Sequence, residues 1–335
     1  MTLCTAWIRQ ANNTEELIFA TDSELRGGGE RWDKGVKLFE LPNKDGLLCF
    51  TGTTLRAYPL ILNLISSISY EDLFFKKTYT LSDLKDHIIE TFSTLIKSIS
   101  DFVADKHEIR GEARFLFGGW DWELGQFRIW YVLYNPDSEK FEANELTDDS
   151  QKTNFYVFIG EAKDINAEDW ANEQLTNHLI HEKKLHMKLD MEPLQILRKA
   201  AIDNTIIGIG GSLQIAKVYK SNKTEFFGTY WHSIKGKPCF QGREYVEKNK
   251  PNVRYFDPDT FEIIETDLPY KLSQINEDIF GEETSFILEC YPDGFLSNTI
   301  SEKQRHHLKL IFKEIAFNQF VFNQSQDEVL TEQED

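Results

Sequence analysis

The chain of 335 residues predicts an α+β fold. The expected form is a four-layer αββα sandwich over residues 2–231, a C-terminal α/β extension over 232–323 that packs on this core, and an acidic, disordered tail over 324–335. Two observations carry the prediction. Strand-like apolar segments come in three groups separated by two pairs of helical segments, and two helix pairs flanking two stacked antiparallel sheets is a layering that buries the apolar side of every element. A composition of 41% apolar and 13% aromatic residues supplies a large core and is far from that of a disordered chain.

The elements follow in order. Cys4–Ile8 and Leu17–Ala20 read as paired strands joined by a polar turn at Asn12–Glu15, and Val36–Phe39 and Leu47–Phe50 as the next pair. Pro59 before Leu60–Ile65 suggests a helix with proline in its first turn. Thr80 and Asp83 form a capping-box-like start, after which Leu84, Ile88, Phe92, Leu95, Ile96 and Ile99 recur at helical spacing. Strands are then expected at Ala113–Gly119, Phe127–Tyr134 and Phe155–Gly160, helices at Trp170–Lys184 and Pro193–Ile202, the second capped by Asp190, and returning strands at Ser212–Tyr219 and Glu225–Trp231. In the extension, Asn252–Phe256, Phe261–Ile264 and Thr284–Cys290 read as short strands. Leu308, Ile311, Phe312 and Ile315 mark a helix over Glu302–Phe320.

A net charge of −18 argues against a phosphate-binding surface, so no nucleic-acid partner is expected. The four cysteines, Cys4, Cys49, Cys239 and Cys290, have no CxxC spacing and lie in apolar segments, which suits reduced core residues of a cytoplasmic protein. No run approaches the roughly 18 apolar residues that would cross a bilayer, so no membrane partner is expected.

Chemistry concentrates near the start. Initiator methionine is normally trimmed before a small residue, so Thr2 would carry a hydroxyl and a free α-amine together. Such an amine is one of the recognised bases for activating a threonine hydroxyl. Its unperturbed pKa is about 7.7–8.0, so a nearby cation that disfavours protonation makes it a better base at neutral pH. Lys37 can supply that charge, and Asp22, just past a strand end, can hold the lysine in place.

Met1-Thr2, Ala20-Thr-Asp22-Ser23, the Gly27–Gly29 loop, Lys37-Leu-Phe-Glu-Leu-Pro42 and Phe50-Thr-Gly-Thr-Thr54, in this order, resemble a proteasome β-type N-terminal nucleophile (Ntn) hydrolase. Within that superfamily they are more similar to the bacterial Anbu (ancestral β-subunit) group than to HslV. The resemblance spans roughly residues 2–220 and returns at Gly118-Gly119, Ile159-Gly160-Glu161 and Gly208–Gly211. It implies Thr2 as nucleophile and base, Asp22 and Lys37 as its charge partners, and the backbone around Gly52 as the oxyanion region. It also implies peptide substrates, or small amides as related Ntn enzymes take, self-association into a ring or helical stack, and no cofactor. No feature identifies an ATP-driven unfoldase partner. Glu161 stands where many β-subunits have serine near the nucleophile, and it is the candidate modulator: beside the α-amine it would favour the protonated form.

Other signals have plainer readings. Gly27–Gly29 lacks a following GK[ST] and reads as a loop between strands, not a phosphate cradle. His178, His181 and His186 do not form HExxH, and no metal is expected. Two alternatives to a threonine peptidase stand beside it. One is a non-catalytic assembly or recognition subunit with Met1 retained; the other is an acylase or amidase acting on small molecules.

Overall fold

Alternating side chains sort each strand of the first sheet between two cores. In β1 (Leu3–Ala11) Leu3 and Trp7 join one cluster while Cys4 and Ala6 join another, and in β2 (Thr14–Thr21) Ile18 and Ala20 part from Leu17 and Phe19 in the same way. This two-residue period is the pleat of a strand buried on both faces. The computed structural model describes residues 2–11, 14–27, 29–75, 79–100, 105–147, 155–160, 166–203, 206–264, 272, 280–297, 299–301, 303–312 and 314–315. The chain divides into two units, Met1–Val246 with Val253–Ile263, and Glu247–Asn252 with Ile264–Asp335.

The first unit is a mixed α/β fold with two mainly antiparallel sheets. After β2 come a short hairpin, β3 (Leu25–Gly27) and β4 (Glu30–Trp32), then β5 (Leu38–Glu40), β6 (Gly46–Gly52) and helices α1 (Thr54–Tyr70), α2 (Asp72–Phe75), α3 (Leu81–Ile96) and α4 (Lys106–Arg110). Strands β7 (Ala113–Asp121), β8 (Gln126–Asn135), β9 (Lys140–Glu145) and β10 (Tyr156–Gly160) precede helices α5 (Ala167–His181) and α6 (Glu192–Asp203). Strands β11 (Gln214–Tyr219), β12 (Lys223–Trp231), β13 (Lys237–Phe240), β14 (Arg243–Glu244) and β15 (Tyr255–Phe256) follow, and a two-residue strand, β16 (Ile263–Ile264), pairs with β15. One sheet runs β10-β1-β2-β11-β12-β13-β14, with β15 added parallel to β12, and the other runs β5-β6-β7-β8-β9.

Three clusters fill the space around these sheets. Ile18, Ala20 and Ile215 pack with Ala171, Leu175, Leu194 and Leu197 of α5 and α6. Leu48, Phe50, Phe115 and Phe117 pack with Leu60, Ile61, Leu84 and Ile88 of α1 and α3. Leu17, Phe19 and Val218 of the first sheet pack with Leu47, Cys49 and Leu116 of the second. Truncating any of these large side chains to alanine belongs in the about 2–5 kcal/mol class.

The capping box expected at Thr80 forms: its hydroxyl accepts from the Asp83 N–H at 3.1 Å, and the Asp83 carboxylate accepts from the Thr80 N–H at 2.7 Å. Three expectations need correction. Pro59 lies inside α1, which starts at Thr54; the N–H that proline lacks would have served the carbonyl of Leu55, at a side of the first turns where Leu55 is exposed. Asp190 does not cap α6. Its carboxylate accepts from Arg9 Nε at 2.5 Å, and the Glu192 side chain instead accepts the Asp190 N–H at 2.6 Å. Thr284–Cys290 is a helix, α7, not a strand: its buried residues Thr284, Ile287 and Cys290 recur every three positions.

The second unit has its own core. Phe280, Ile287, Cys290 and Tyr291 meet Leu308 and Ile311 of a helix that includes 303–312. The rest of the range expected for that helix (302, 313 and 316–320) and the tail 324–335 lie outside the described residues.

One ion network on the second sheet has a measurable consequence. Arg128 donates through Nε and Nη2 to the two oxygens of Glu145 at 2.8 and 2.6 Å and through Nη1 to Asp121 at 3.0 Å, with its guanidinium 4.5 Å over Trp130. The hydrogen bonds from Arg128 hold the Glu145 carboxyl below its ordinary value. A depressed folded value means the stabilisation is complete above the unfolded carboxylate's titration, about pH 4.3, and is lost as pH falls through the folded one. Arg128→Lys removes the fork and is expected to cost about 1–3 kcal/mol in urea unfolding at pH 7, a gap that narrows below pH 4. An equal gap at pH 7 and pH 3 would contradict this assignment.

Candidate active site

The residues singled out near the N-terminus meet at one end of the first sheet. Leu3 at the start of β1 is opposite Gly160 at the end of β10, and Thr21 at the end of β2 is opposite both Cys4 and Gln214 at the start of β11. Antiparallel pairing therefore gathers four strand ends, and Asp22 leaves β2 among them. Lys37 precedes β5 in the other sheet and reaches across.

Asp22 is the hub. Its Oδ1 accepts from Lys37 Nζ at 2.9 Å and from the Leu3 N–H at 3.2 Å, while Oδ2 accepts from the N–H groups of Glu24 and Gly210, both at 3.1 Å. Both Asp22 and Lys37 are fully buried. Burial pushes the Asp22 carboxyl above the ordinary carboxylate value, against the downward pull of the Lys37 ammonium and the N–H groups of Gly210 and Leu3. A buried ion pair repays desolvation only where its remaining hydrogen-bonding capacity is used, and here both carboxylate oxygens are occupied.

The loop before β11 is shaped to deliver these donors. Gly210 lies so close to Glu24 that a Cβ there would sit 2.4 Å from its Oε2, and at Gly211, with φ +72°, a Cβ would sit 2.3 Å from Ser23 Oγ. Ser23 in turn donates its N–H to the Gly210 carbonyl at 3.0 Å and its hydroxyl to the Asp33 carbonyl at 2.8 Å. Glu24, a second fully buried carboxylate, pairs with Arg26 and with Arg31, the latter at 3.1 Å. Arg26 and Arg31 face each other across the β3–β4 hairpin, so Glu24 offsets a like-charge pair that would otherwise weaken the turn.

Thr2 immediately precedes Leu3, so the peptide joining them is the one whose N–H binds Asp22, and Thr2 is 3% exposed. Gly52 ends β6 with φ +101°, and a Cβ there would lie 1.8 Å from the Glu112 carbonyl, so only glycine fits. It is tied to the cluster through Phe50, two residues earlier: the Phe50 N–H donates to the Lys37 carbonyl at 3.4 Å and its carbonyl accepts from Cys4 Sγ at 3.1 Å. Glu161 lies outside the described residues, as do Met1 and the Asn12-Asn13 part of the first turn. All four cysteines are free and buried, and burial together with the neighbouring Cys4 pushes the Cys49 thiol well up, which keeps it protonated.

Asp22 and Lys37 were legible from the sequence and do come together. Gln214 was not: a lone glutamine at the edge of an apolar strand carries no periodicity or motif, yet it makes four hydrogen bonds to the segments bearing Asp22 and Lys37.

Among the described residues, no helix is long and apolar enough to cross a membrane. No family model matches the chain, and no curated protein sequence does. Among solved structures it is similar to Anbu (ancestral beta-subunit) from Yersinia bercovieri, at 14% identity and a TM-score of 0.46 over 67% of this chain and 86% of that one. It is also similar to an Anbu (Gly-1) mutant from Hyphomicrobium sp. strain MC1, at 15% identity and a TM-score of 0.45 over 67% of this chain and 85% of that one.

Proposed function

We propose that the protein is an N-terminal threonine hydrolase that cleaves amide bonds, peptides foremost, through an acyl-enzyme. Removal of Met1 frees the α-amine of Thr2. That amine takes the hydroxyl proton as Oγ adds to the carbonyl carbon, and returns it to the leaving nitrogen as the C–N bond breaks. A water that loses its proton to the same amine then attacks the ester, and the acid and free Thr2 hydroxyl result. Lys37 disfavours protonation of the amine, Asp22 holds Lys37, and N–H groups near Gly52 bind the developing oxyanion. Glu161 is the modulator of the amine in this scheme. The fold that goes with it is the four-layer αββα sandwich of Ntn hydrolases, supported by the division of strand side chains between a helix-facing and a sheet-facing core. Self-association into a ring or helical stack belongs to the same reading.

One observation carries this proposal: a fully buried carboxylate whose single oxygen Oδ1 receives both the Lys37 ammonium and the N–H next to Thr2. A solvated edge lysine and a turn-capping aspartate, the plainer readings of the two residues, account for neither the burial nor the shared oxygen.

The second reading is a non-catalytic subunit with Met1 retained. Intact mass combined with a panel of fluorogenic peptides and simple acyl-amides separates the readings. The proposal expects a mass short by one methionine and turnover of peptides. A chain that keeps Met1 and turns over neither class would favour the subunit, and turnover of acyl-amides alone would make the protein an amidase.

A further inference from the structure

We infer that Gln214 is a positioning residue that holds the backbones of Asp22 and Lys37 in a fixed relation, so that their ion pair stands in place beside Thr2. The inference rests on the proposed function for its catalytic meaning and on geometry for the rest. Gln214 is 1% exposed at the start of β11. Its Oε1 accepts from the N–H groups of Lys37 and Leu38 at 3.0 and 3.3 Å, and its Nε2 donates to the carbonyls of Gly35 and Asp22 at 2.6 and 3.4 Å. All four partners are main-chain groups, two donors and two acceptors. Of the common side chains, only a carboxamide offers two accepting and two donating positions in one plane.

The consequence is geometric. Lys37 and Asp22 come from different sheets, and one side chain rooted in a third strand ties the main chain of both. A cation that tunes a base acts through distance, and a displacement of about 1 Å around a reacting group can cost about 100-fold in rate. Gln214 touches neither the Lys37 ammonium nor Thr2 through any hydrogen bond among the described residues, so it acts through the backbone.

Gln214→Glu makes the role readable. The glutamate keeps an oxygen for Lys37 and Leu38, but as a carboxylate it turns an acceptor toward the Gly35 and Asp22 carbonyls. Once protonated it can donate again, and burial moves that protonation toward neutral pH. Two measurements apply to the full-length protein: backbone amide exchange at Lys37 and Leu38, and the rate of labelling by a threonine-directed covalent inhibitor, each relative to wild type at the same pH. At pH 8 the variant is expected to lose at least about 10-fold in protection at both amides and about 100-fold in labelling rate. Both losses should shrink as pH falls toward 5.5. Gln214→Met, which cannot donate or accept in this way, should show the same losses at every pH.

Unchanged exchange at Lys37 and Leu38 in both variants, or a Gln214→Glu deficit that ignores pH, would overturn the inference. If neither variant folds, wild type decides: Gln214 is the partner of the Lys37 N–H, so protection of that amide supports the role and fast exchange removes it. A wild-type protein that the inhibitor never labels would end the Thr2 chemistry, while exchange would still settle what Gln214 does.

Discussion

Lys37→Met is expected to lower stability by about 3–5 kcal/mol and to reduce amide hydrolysis by about 100-fold or more. The stability loss follows from what stays behind. Asp22 is fully buried, and without the ammonium its carboxylate keeps, among the described residues, the N–H groups of Leu3, Glu24 and Gly210. The carboxyl already stands above its ordinary value through burial, with Lys37 as the main opposing influence. Removing Lys37 pushes it further in the same direction, so the variant should take up a proton on folding and lose stability as pH rises, the reverse of a salt-bridged carboxylate. Urea unfolding of the variant from pH 5 to 8 measures this directly. Adding Asp22→Asn removes the orphaned charge and should recover part of the stability, but no activity, because the amine still lacks its cation. Recovery of activity in the double variant would show that Lys37 serves the fold and not the chemistry.

Much of this arrangement is legible in the sequence. Strands β1, β2, β5–β8 and β10–β12 announce themselves through apolar and aromatic runs, and α3 through its capping box, because those signals are local. Pro59 misled about the start of α1, since a helix can absorb a missing N–H near its exposed N-terminal turns when the opposite face, with Ala57, Leu60, Ile61 and Leu64, is buried. Strand β9 was missed because Lys140–Glu145 is polar and alternates weakly; its pairing with β8 decides it. Thr284–Cys290 looked like a strand because a short apolar run carries too few turns to reveal its period.

The site divides along the same line. Asp22 and Lys37 sit in recognisable surroundings, whereas Gln214 and the close approach at Gly210-Gly211 matter only through partners far away in sequence. Gln214 bonds across 177 positions to Lys37, and Gly210 bonds across 188 to Asp22. No local pattern encodes such a bond. A glycine pair that looks like loop punctuation proves to be the place where two segments come too close for a side chain.

Thr2→Ala should abolish hydrolysis while lowering unfolding stability by only about 1 kcal/mol, because it removes a hydroxyl and one buried methyl group but touches neither the Asp22 hub nor the sheet pairing, which starts at Leu3. Loss of a nucleophile leaves only what binding and the oxyanion donors contribute, so the residual rate should lie on the order of 10³-fold or more below wild type. Full activity in this variant would exclude Thr2 as the nucleophile. The most direct test is treatment of the wild-type protein with a threonine-directed covalent inhibitor, followed by mapping of the adduct. The account predicts one adduct per chain, on Thr2 of a chain that has lost Met1, and none in Thr2→Ala. An unmodified wild-type chain that still begins with Met1, or an adduct on any other residue, would contradict it.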